Sequence, residues 1–199
     1  MQTDISSQNR ILAVAAELFF RQGFQKTSLD EVAFQAGVTR VTVYRHFGDK
    51  RGLVGAVCES MAAAYRQAEA ECRDFPERSL SECLSHAREH FARLPKSRLG
   101  PGFEELGRLY PDLFAALRTT YRAAMDGVFD ELIRRARQTG ELREGIQLEL
   151  VKAIFWEAVL RLIESPTAFA EQASGVEVFD TVAEVLQHGI LQPKKEAAP

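Results

Sequence analysis

The chain has 199 residues, of which 46% are hydrophobic and 27% charged, and its formal net charge is −3. This composition is typical of a folded, water-soluble protein, and the length allows one or two domains with a sizeable core. No apolar run approaches the ~18 residues of a membrane span, and no signal peptide opens the chain, so the sequence predicts no membrane association. Cys58, Cys72 and Cys83 show no paired spacing, which favours a reduced cytoplasmic protein over a disulfide scaffold.

The first predicted helix has one apolar face and no chemistry of its own. Residues 1–7 are polar, so we expect them to be frayed, with Ser6 or Ser7 as the N-cap. Gly23 is expected to end the helix. The apolar positions recur at helical spacing and predict a buttress for the helices that follow: Ile11, Leu12, Ala15, Leu18 and Phe19.

Two short helices around a tight turn are predicted next, from residue 27 to residue 50. Ser28 and Glu31 have capping-box spacing at the start of the first one. Its apolar face consists of Leu29, Val32, Ala33 and Ala36. Gly37 fits a left-handed residue just past the helix end, and Thr39 is a good N-cap for the second helix. This layout is that of a helix-turn-helix, whose second helix enters the major groove of DNA.

The second of these helices is informative through the side chains it exposes. Val43 and Phe47 face inward as an i, i+4 pair. The other side chains point outward or lie on the flanks: Arg40, Val41, Thr42, Tyr44, Arg45 and His46. No acidic residue lies between Thr39 and Gly48, which suits a polyanion, although a short polar helix on its own is as readily an ordinary solvated surface. Residues 1–55 also carry a net charge of +2 whereas the remainder carries −5, so the basic excess lies where DNA would bind.

The segment from residue 27 to residue 50, together with residues 11–19 and Gly23-Phe24, resembles the DNA-binding signature of TetR-type (tetracycline-repressor-like) bacterial transcriptional regulators. The resemblance covers roughly residues 8 to 56. It implies an all-α protein with an N-terminal three-helix DNA-binding domain (residues 1–52) and a C-terminal helical domain for ligand binding and dimerisation (residues 53–199). It further implies a homodimer that binds a palindromic double-stranded operator, by default as a repressor, and releases it when a small effector binds.

The resemblance also assigns roles to residues. Positions matching Arg40, Thr42, Tyr44 and His46 face DNA in such proteins, and positions matching Thr27, Thr39 and Lys50 hold its backbone. Positions 41 and 45 vary in the family and would select the operator. Arginine can contact guanine O6 and N7 in a bidentate manner, which agrees with this assignment. The predicted DNA-binding set is Thr27, Ser28, Thr39, Arg40, Val41, Thr42, Tyr44, Arg45, His46 and Lys50.

Further helices are predicted along the rest of the chain. Asp49 is the expected N-cap of a long fourth helix that ends near residue 74, and a second capping box opens a helix over residues 79–94. Residues 96–102 read as a loop, and residues 103–109 as one or two helical turns. Pro111 opens the longest helix, which Gly140 ends. The last two helices, 151–163 and 178–190, are more apolar than one buried face requires, and in TetR-type proteins such helices form the dimer interface.

The C-terminal domain has an excess of large apolar and aromatic side chains. Packed core explains each of them individually, yet the TetR resemblance implies that this domain encloses a small, mostly hydrophobic ligand, and such pockets are rich in aromatic residues. The predicted ligand-binding residues are Phe91, Phe103, Leu106, Tyr110, Phe114, Tyr121, Met125, Phe155 and Trp156.

Other functional classes find little support. Cys83, His86 and His90 lie at i, i+3 and i+7 and could present ligands to zinc or nickel, but a partly solvated helix side explains them better, so we predict no metal and no cofactor. No nucleophile elbow, phosphate loop or dinucleotide fingerprint is present, so an enzyme is not expected. The remaining alternative is a ligand sensor of the same fold that acts through protein contacts without DNA binding.

Overall fold

The computed structural model describes residues 2–74, 99–140 and 142–154, and a few isolated positions: 89, 157, 177, 180–182, 184, 185 and 189. Six helices lie in these ranges: α1 (Gln2–Gln22), α2 (Leu29–Gln35), α3 (Arg40–Phe47), α4 (Lys50–Asp74), α5 (Leu99–Leu109) and α6 (Pro111–Thr139). Residues 148–154 are also helical. The prediction of an all-α fold is therefore confirmed.

The start of α1 corrects one prediction. The helix begins at Gln2 rather than after Ser6 or Ser7, so residues 2–7 are helical and not frayed. The buried residues Ile11, Ala15, Leu18 and Phe19 fix the rest of the helix against the core.

The caps of α2 and α3 are as predicted. Ser28 Oγ accepts a hydrogen bond from the Glu31 amide at 3.1 Å, and Thr39 Oγ1 accepts one from the Thr42 amide at 3.2 Å. Gly37 has a φ of +64°, which side chains with a Cβ rarely adopt. The Glu31 carboxylate accepts from Gln22 Nε2 at 2.7 Å and so ties α2 to the end of α1. These local contacts fix the angle at which α3 leaves the turn.

Helix α4 follows α3 and runs on into the C-terminal helices. Asp49 Oδ1 accepts from the Gly52 amide at 2.7 Å, which confirms Asp49 as its N-cap. One apolar face of the helix is buried along its length: Leu53, Val54, Val57, Cys58, Met61, Tyr65 and Ala68. The division into domains at residue 52 stays a prediction, since one core contains residues of α1 to α6.

Helix α6 holds α4 at both ends. Near the start of α4, Arg51 Nη2 lies 2.5 Å from the carboxylate of Asp112, and its guanidinium lies 5.8 Å from the ring centre of Tyr110. Near its end, the buried Arg135 donates from Nη2 to the carbonyl oxygen of Cys72. Between these points Tyr65 and Tyr121 meet edge to face, with ring centres 4.8 Å apart. Because α4 carries Lys50 at its first position, α6 sets where that lysine lies.

The predicted loop at 96–102 is wrong from residue 99 onward, because α5 begins at Leu99. Pro101 is compatible with this start, since a helix tolerates proline in its first turn. Gly102 lies so close to α1 that a Cβ there would be 2.3 Å from Cδ1 of Phe20. Phe103 then meets the Phe20 ring edge to face at 5.1 Å. The glycine and proline content of this segment predicts a loop, but packing against α1 makes the segment helical.

The ends of α6 agree with the sequence. Pro111 is its first residue, and Gly140 closes it with a φ of +68° while its amide donates to the carbonyl of Arg137. Within the described ranges, none of these helices is both long enough and apolar enough to cross a membrane. Several predictions lie outside the described residues: the helix over 79–94, most of the last two helices, and the side chains of Phe91, Phe155, Trp156, Cys83, His86 and His90.

Candidate nucleic-acid interface

Helix α3 presents one face to the core and the opposite one to solvent. Val43 is fully buried, and Phe47 packs against the core from a half-buried position. On the outer side Val41 is 75% exposed and Tyr44 40% exposed. Arg45 is also exposed. The inward and outward positions predicted for these five residues are confirmed.

The Arg40 guanidinium, on the outer side of α3, makes two hydrogen bonds with other side chains. Its Nη1 donates to Asp30 Oδ2 at 3.0 Å, and its Nη2 donates to the Tyr44 hydroxyl at 3.0 Å. The guanidinium carbon lies 5.2 Å from the centre of the Tyr44 ring, within the range of a cation–π contact. The hydrogen bond to Tyr44 and the charge of Asp30 both raise the pKa of Arg40, so this group stays a cation.

The hydroxyl groups of Ser28 and Thr39 cap the N-termini of α2 and α3. Thr39 Oγ1 and Thr42 Oγ1 lie 2.9 Å apart, which leaves Thr42 half-buried rather than pointing fully outward. Ser28 and Thr39 remain exposed. Their oxygens accept the capping bonds, and a hydroxyl that accepts can still donate its hydrogen to a phosphate. Their predicted backbone contacts are compatible with this geometry.

Thr27 requires a correction. Its side chain is only 1% exposed, and its Oγ1 donates to the Gly23 carbonyl at 2.8 Å. A hydroxyl buried in this way does not reach a phosphate in this conformation. We therefore assign the Thr27 side chain to the closure of the turn between α1 and α2, because burial of a polar group requires such a partner.

Lys50 lies at the start of α4, beside the α1–α2 turn. Its Nζ donates to the Gln25 carbonyl at 3.2 Å, and partial burial lowers the pKa of its ammonium group although the charge of Glu105 acts in the opposite direction. Two of its three donors remain for a phosphate. The turn itself is held from α5, because Glu105 Oε2 accepts from the Phe24 amide at 2.9 Å and Oε1 accepts from the Gln25 amide at 3.0 Å.

Comparison with known proteins identifies this arrangement. Residues 11–57 match the family of bacterial regulatory proteins of the tetR type. The HTH-type transcriptional regulator AcrR of Shigella flexneri is 38% identical over 97 residues, which are 47% of this chain and 45% of that protein. The chain thus matches less than half the length of that relative. The uncharacterized HTH-type transcriptional regulator YdeS of Bacillus subtilis is 26% identical over 80% of both chains.

The same fold is found among solved structures. A TetR transcriptional regulator from Chloroflexus aurantiacus superposes with a TM-score of 0.63 over 97% of this chain and 100% of its own, at 18% identity. Residues 11–57 thus belong to the tetR type of bacterial regulatory domain, and the chain as a whole shares the fold of such regulators. The relatives that the chain resembles are transcriptional regulators, in agreement with the prediction that it is not an enzyme.

His46 lies at the edge of the surface that the TetR-type domain presents. His46 is half-buried, and its ring lies 5.9 Å from that of its neighbour Phe47. The imidazole therefore sits at the edge of the exposed face rather than at its centre. Its contact with DNA stays a prediction, as do those of Arg40, Val41, Tyr44 and Arg45.

Sequence reasoning missed two features of this TetR-type surface. Asp30 reaches from α2 onto the recognition helix, although no acid occurs within that helix itself. Phe34, also on α2, is 86% exposed beside the turn into α3. The i, i+4 spacing of Asp30 and Phe34 places both on the same face of α2, which is the signal that could have identified them together.

The predicted ligand residues pack mainly against other helices. Phe103, Leu106, Tyr121 and Met125 are buried in the core, and Tyr110 and Phe114 are half-buried against it. Tyr110 lies 6.4 Å from Phe24, ring centre to ring centre, so the start of α6 faces the DNA-binding bundle. The part that these side chains take in ligand binding stays a prediction.

A separate cavity of about 400 Å³ lies beside the second half of α6. Charged and apolar side chains both line it, and Lys152 there pairs with Asp126 at 3.3 Å and Asp130 at 2.8 Å. The lining residues are Phe129, Asp130, Ile133, Arg134, Arg137, Gln138, Leu148, Glu149 and Lys152. None of the predicted ligand-binding residues lines this cavity.

Proposed function

We propose that this protein is a ligand-responsive transcriptional regulator, acting as a repressor, that binds a palindromic operator as a homodimer. The observation that carries the proposal is the outer face of α3, where Arg40, Tyr44 and Arg45 stand exposed above the fully buried Val43. The match of residues 11–57 to the tetR type supports the same conclusion. An exposed cationic helix on a rigid three-helix bundle is the arrangement that reads the major groove.

Backbone contacts would come from the edges of the same surface. Lys50 and the exposed hydroxyls of Ser28 and Thr39 flank α3, and such groups set the register of a protein on DNA without reading its sequence. Arg40 is the main candidate for reading a base, because a guanidinium can contact guanine in a bidentate manner.

Dimerisation would involve the helices that follow α6. Leu150 and Ile154, at the start of the first of these, are 56% and 62% exposed, and Val185 in the second is 67% exposed. Exposed apolar side chains on two helices are typical of a surface covered by a second subunit. In such a dimer the two α3 helices must lie about 34–36 Å apart to occupy successive major grooves.

The effector would be a small, largely hydrophobic molecule held in the C-terminal domain, and the protein would act in the cytoplasm. Its binding would shift α4 and α6 together, change the spacing of the two α3 helices and release the operator. Linkage then requires that effector and DNA weaken each other's binding by the same factor.

Selection from a random 30-bp duplex library tests the DNA-binding part directly. We expect the wild-type protein to enrich a palindrome, and light scattering to give a dimer both free and bound. A matched pair of variants then tests the surface: Arg45→Met on α3 should weaken binding, whereas Arg122→Met on the exposed side of α6 should not. A monomer that enriches no sequence at low salt would overturn the proposal and favour a sensor that acts through protein contacts.

A further inference from the structure

We propose that Asp30 is a positioning residue for sequence recognition: it orients Arg40 towards base edges and makes contact with phosphates less favourable. This inference rests on the proposed DNA-binding function. It concerns a residue of α2, one helix before the helix that enters the groove. The carboxylate reaches α3 through its 3.0 Å contact with Arg40 Nη1.

Arg40 is held from two directions, since Asp30 binds Nη1 while the Tyr44 hydroxyl accepts from Nη2. The Tyr44 ring lies against the same guanidinium. An arginine side chain normally samples many rotamers, and fixing it before association removes part of the entropic cost of binding. Asp30 and Tyr44 therefore define one orientation of Arg40 before DNA arrives.

A guanidinium has five N–H donors, and the two contacts use one on each Nη nitrogen. Three donors remain, and a bidentate contact with guanine needs two. The Tyr44 hydroxyl accepts from Arg40, so its own hydrogen stays available to a phosphate. Arg40 can thus read a base without leaving Asp30.

The side chain of Asp30 is 61% exposed, and that of Arg40 58%. An ion pair this exposed contributes little to folding stability. Its position matters more, because a carboxylate beside the recognition helix repels every phosphate that approaches and so weakens binding to any duplex. This repulsion is common to all duplexes and cancels in the specificity ratio, since specificity is a difference of affinities. The ratio rises because the orientation of Arg40 by Asp30 adds affinity on the correct sequence only.

The experiment uses the full-length protein, the duplex most enriched by the wild type, and a scrambled duplex of the same composition. For Asp30→Asn we expect affinity for the scrambled duplex to rise about two- to fivefold, because one nearby repulsion is removed. Affinity for the enriched duplex should stay within about twofold, so the specificity ratio falls. A repeated selection should show weaker preference at one base pair in each half-site.

Two controls separate positioning from net charge and from folding. Glu144→Gln, in the exposed turn after α6, changes the net charge equally and should leave the ratio unchanged. Asp30→Glu restores the carboxylate and should recover most of the ratio. Circular dichroism melts confirm that each variant is folded, and Asp30→Ser replaces Asp30→Asn as the variant without a carboxylate if Asp30→Asn is not.

A double-mutant cycle tests whether Asp30 changes the specificity ratio through Arg40. If Asp30 acts through Arg40, then Asp30→Asn should not change the ratio in an Arg40→Met background. An unchanged ratio in Asp30→Asn alone, an equal change in Glu144→Gln, or an effect that persists without Arg40 would each overturn this inference while the proposed function stands. A wild-type protein that enriches no duplex would overturn both.

Discussion

The contact between Glu105 and the α1–α2 turn allows a quantitative prediction. Glu105 lies on α5, and its carboxylate accepts hydrogen bonds from the amides of Phe24 at 2.9 Å and Gln25 at 3.0 Å. These residues are about 80 positions away in the chain, so the contact fastens the DNA-binding bundle to the C-terminal helices. Its side chain is 20% exposed, so solvent screens it only in part.

The magnitude follows from the two bonds. A hydrogen bond to a charged acceptor contributes about 1.5–3 kcal/mol, and the Phe24 amide is part-buried, so its bond should retain that value. The Gln25 amide is exposed, and water replaces its partner at a cost of less than about 1 kcal/mol. Glu105→Ala should therefore lower the free energy of unfolding by about 2–4 kcal/mol. For a chain of this size the melting temperature should fall by about 4–16 °C.

Thermal melts followed by circular dichroism measure this, with Glu104→Ala as the matched control. Glu104 is the preceding residue on α5 and is exposed, so its replacement should change stability by no more than about 0.5 kcal/mol. Hydrogen exchange at the amides of Phe24 and Gln25 should accelerate in the Glu105 variant alone. Equal stability of the two variants, with exchange at these amides unchanged, would refute the reasoning.

Three further predictions concern α4 and α6. A Cβ at Gly52 would lie 1.9 Å from the Phe47 carbonyl oxygen, whereas a Cβ at Gly55 would make only ordinary contacts. Gly52→Ala should therefore reduce stability and DNA affinity, while Gly55→Ala should stabilise the fold by up to about 1 kcal/mol. A rise in melting temperature for both variants would contradict this. Lys50→Ala should weaken binding to enriched and scrambled duplexes alike, and it should reduce the slope of log affinity against log salt concentration by about one. A loss of affinity confined to the enriched duplex would instead show that Lys50 reads a base. Two neighbouring arginines lower the pKa of Glu131 to about 2 from 4.5. Because the folded-state pKa is depressed, the stability that Glu131 contributes is present above about pH 4.5 and is lost as the pH falls towards 2. Urea titrations between pH 6 and pH 3 should therefore show the advantage of the wild type over Glu131→Gln shrinking, and a difference independent of pH would argue against the ion pair.

Local chemistry accounts for the features that the sequence predicted correctly. The caps Ser28 and Thr39 bond within three residues of themselves, and Gly37 and Gly140 adopt positive φ angles where a chain must leave a helix. Such interactions depend on few neighbours, so spacing in the sequence reveals them. The inward position of Val43 follows from helical periodicity in the same way.

The errors share a different cause, because each depends on partners distant in the sequence. Gly102 is helical because it packs against Phe20, and nothing near residue 102 indicates that contact. Thr27 reads as a polar surface residue, yet closure of the turn buries it. Asp30 reads as an ordinary residue of a first helical turn until α3 is placed beside it. Pairing between elements is information that a single sequence does not display.

The attachment of α4 to α6 at both of its ends has a consequence for how such a regulator changes during evolution. Arg51 near the first turn of α4 and Arg135 near its last turn both contact α6, so under the proposed mechanism the two helices would shift together. Substitutions elsewhere in the C-terminal domain would then alter which molecule shifts this pair without altering the connection from α4 to α3. We expect new chemical responses to arise in this protein more readily than new operator preferences.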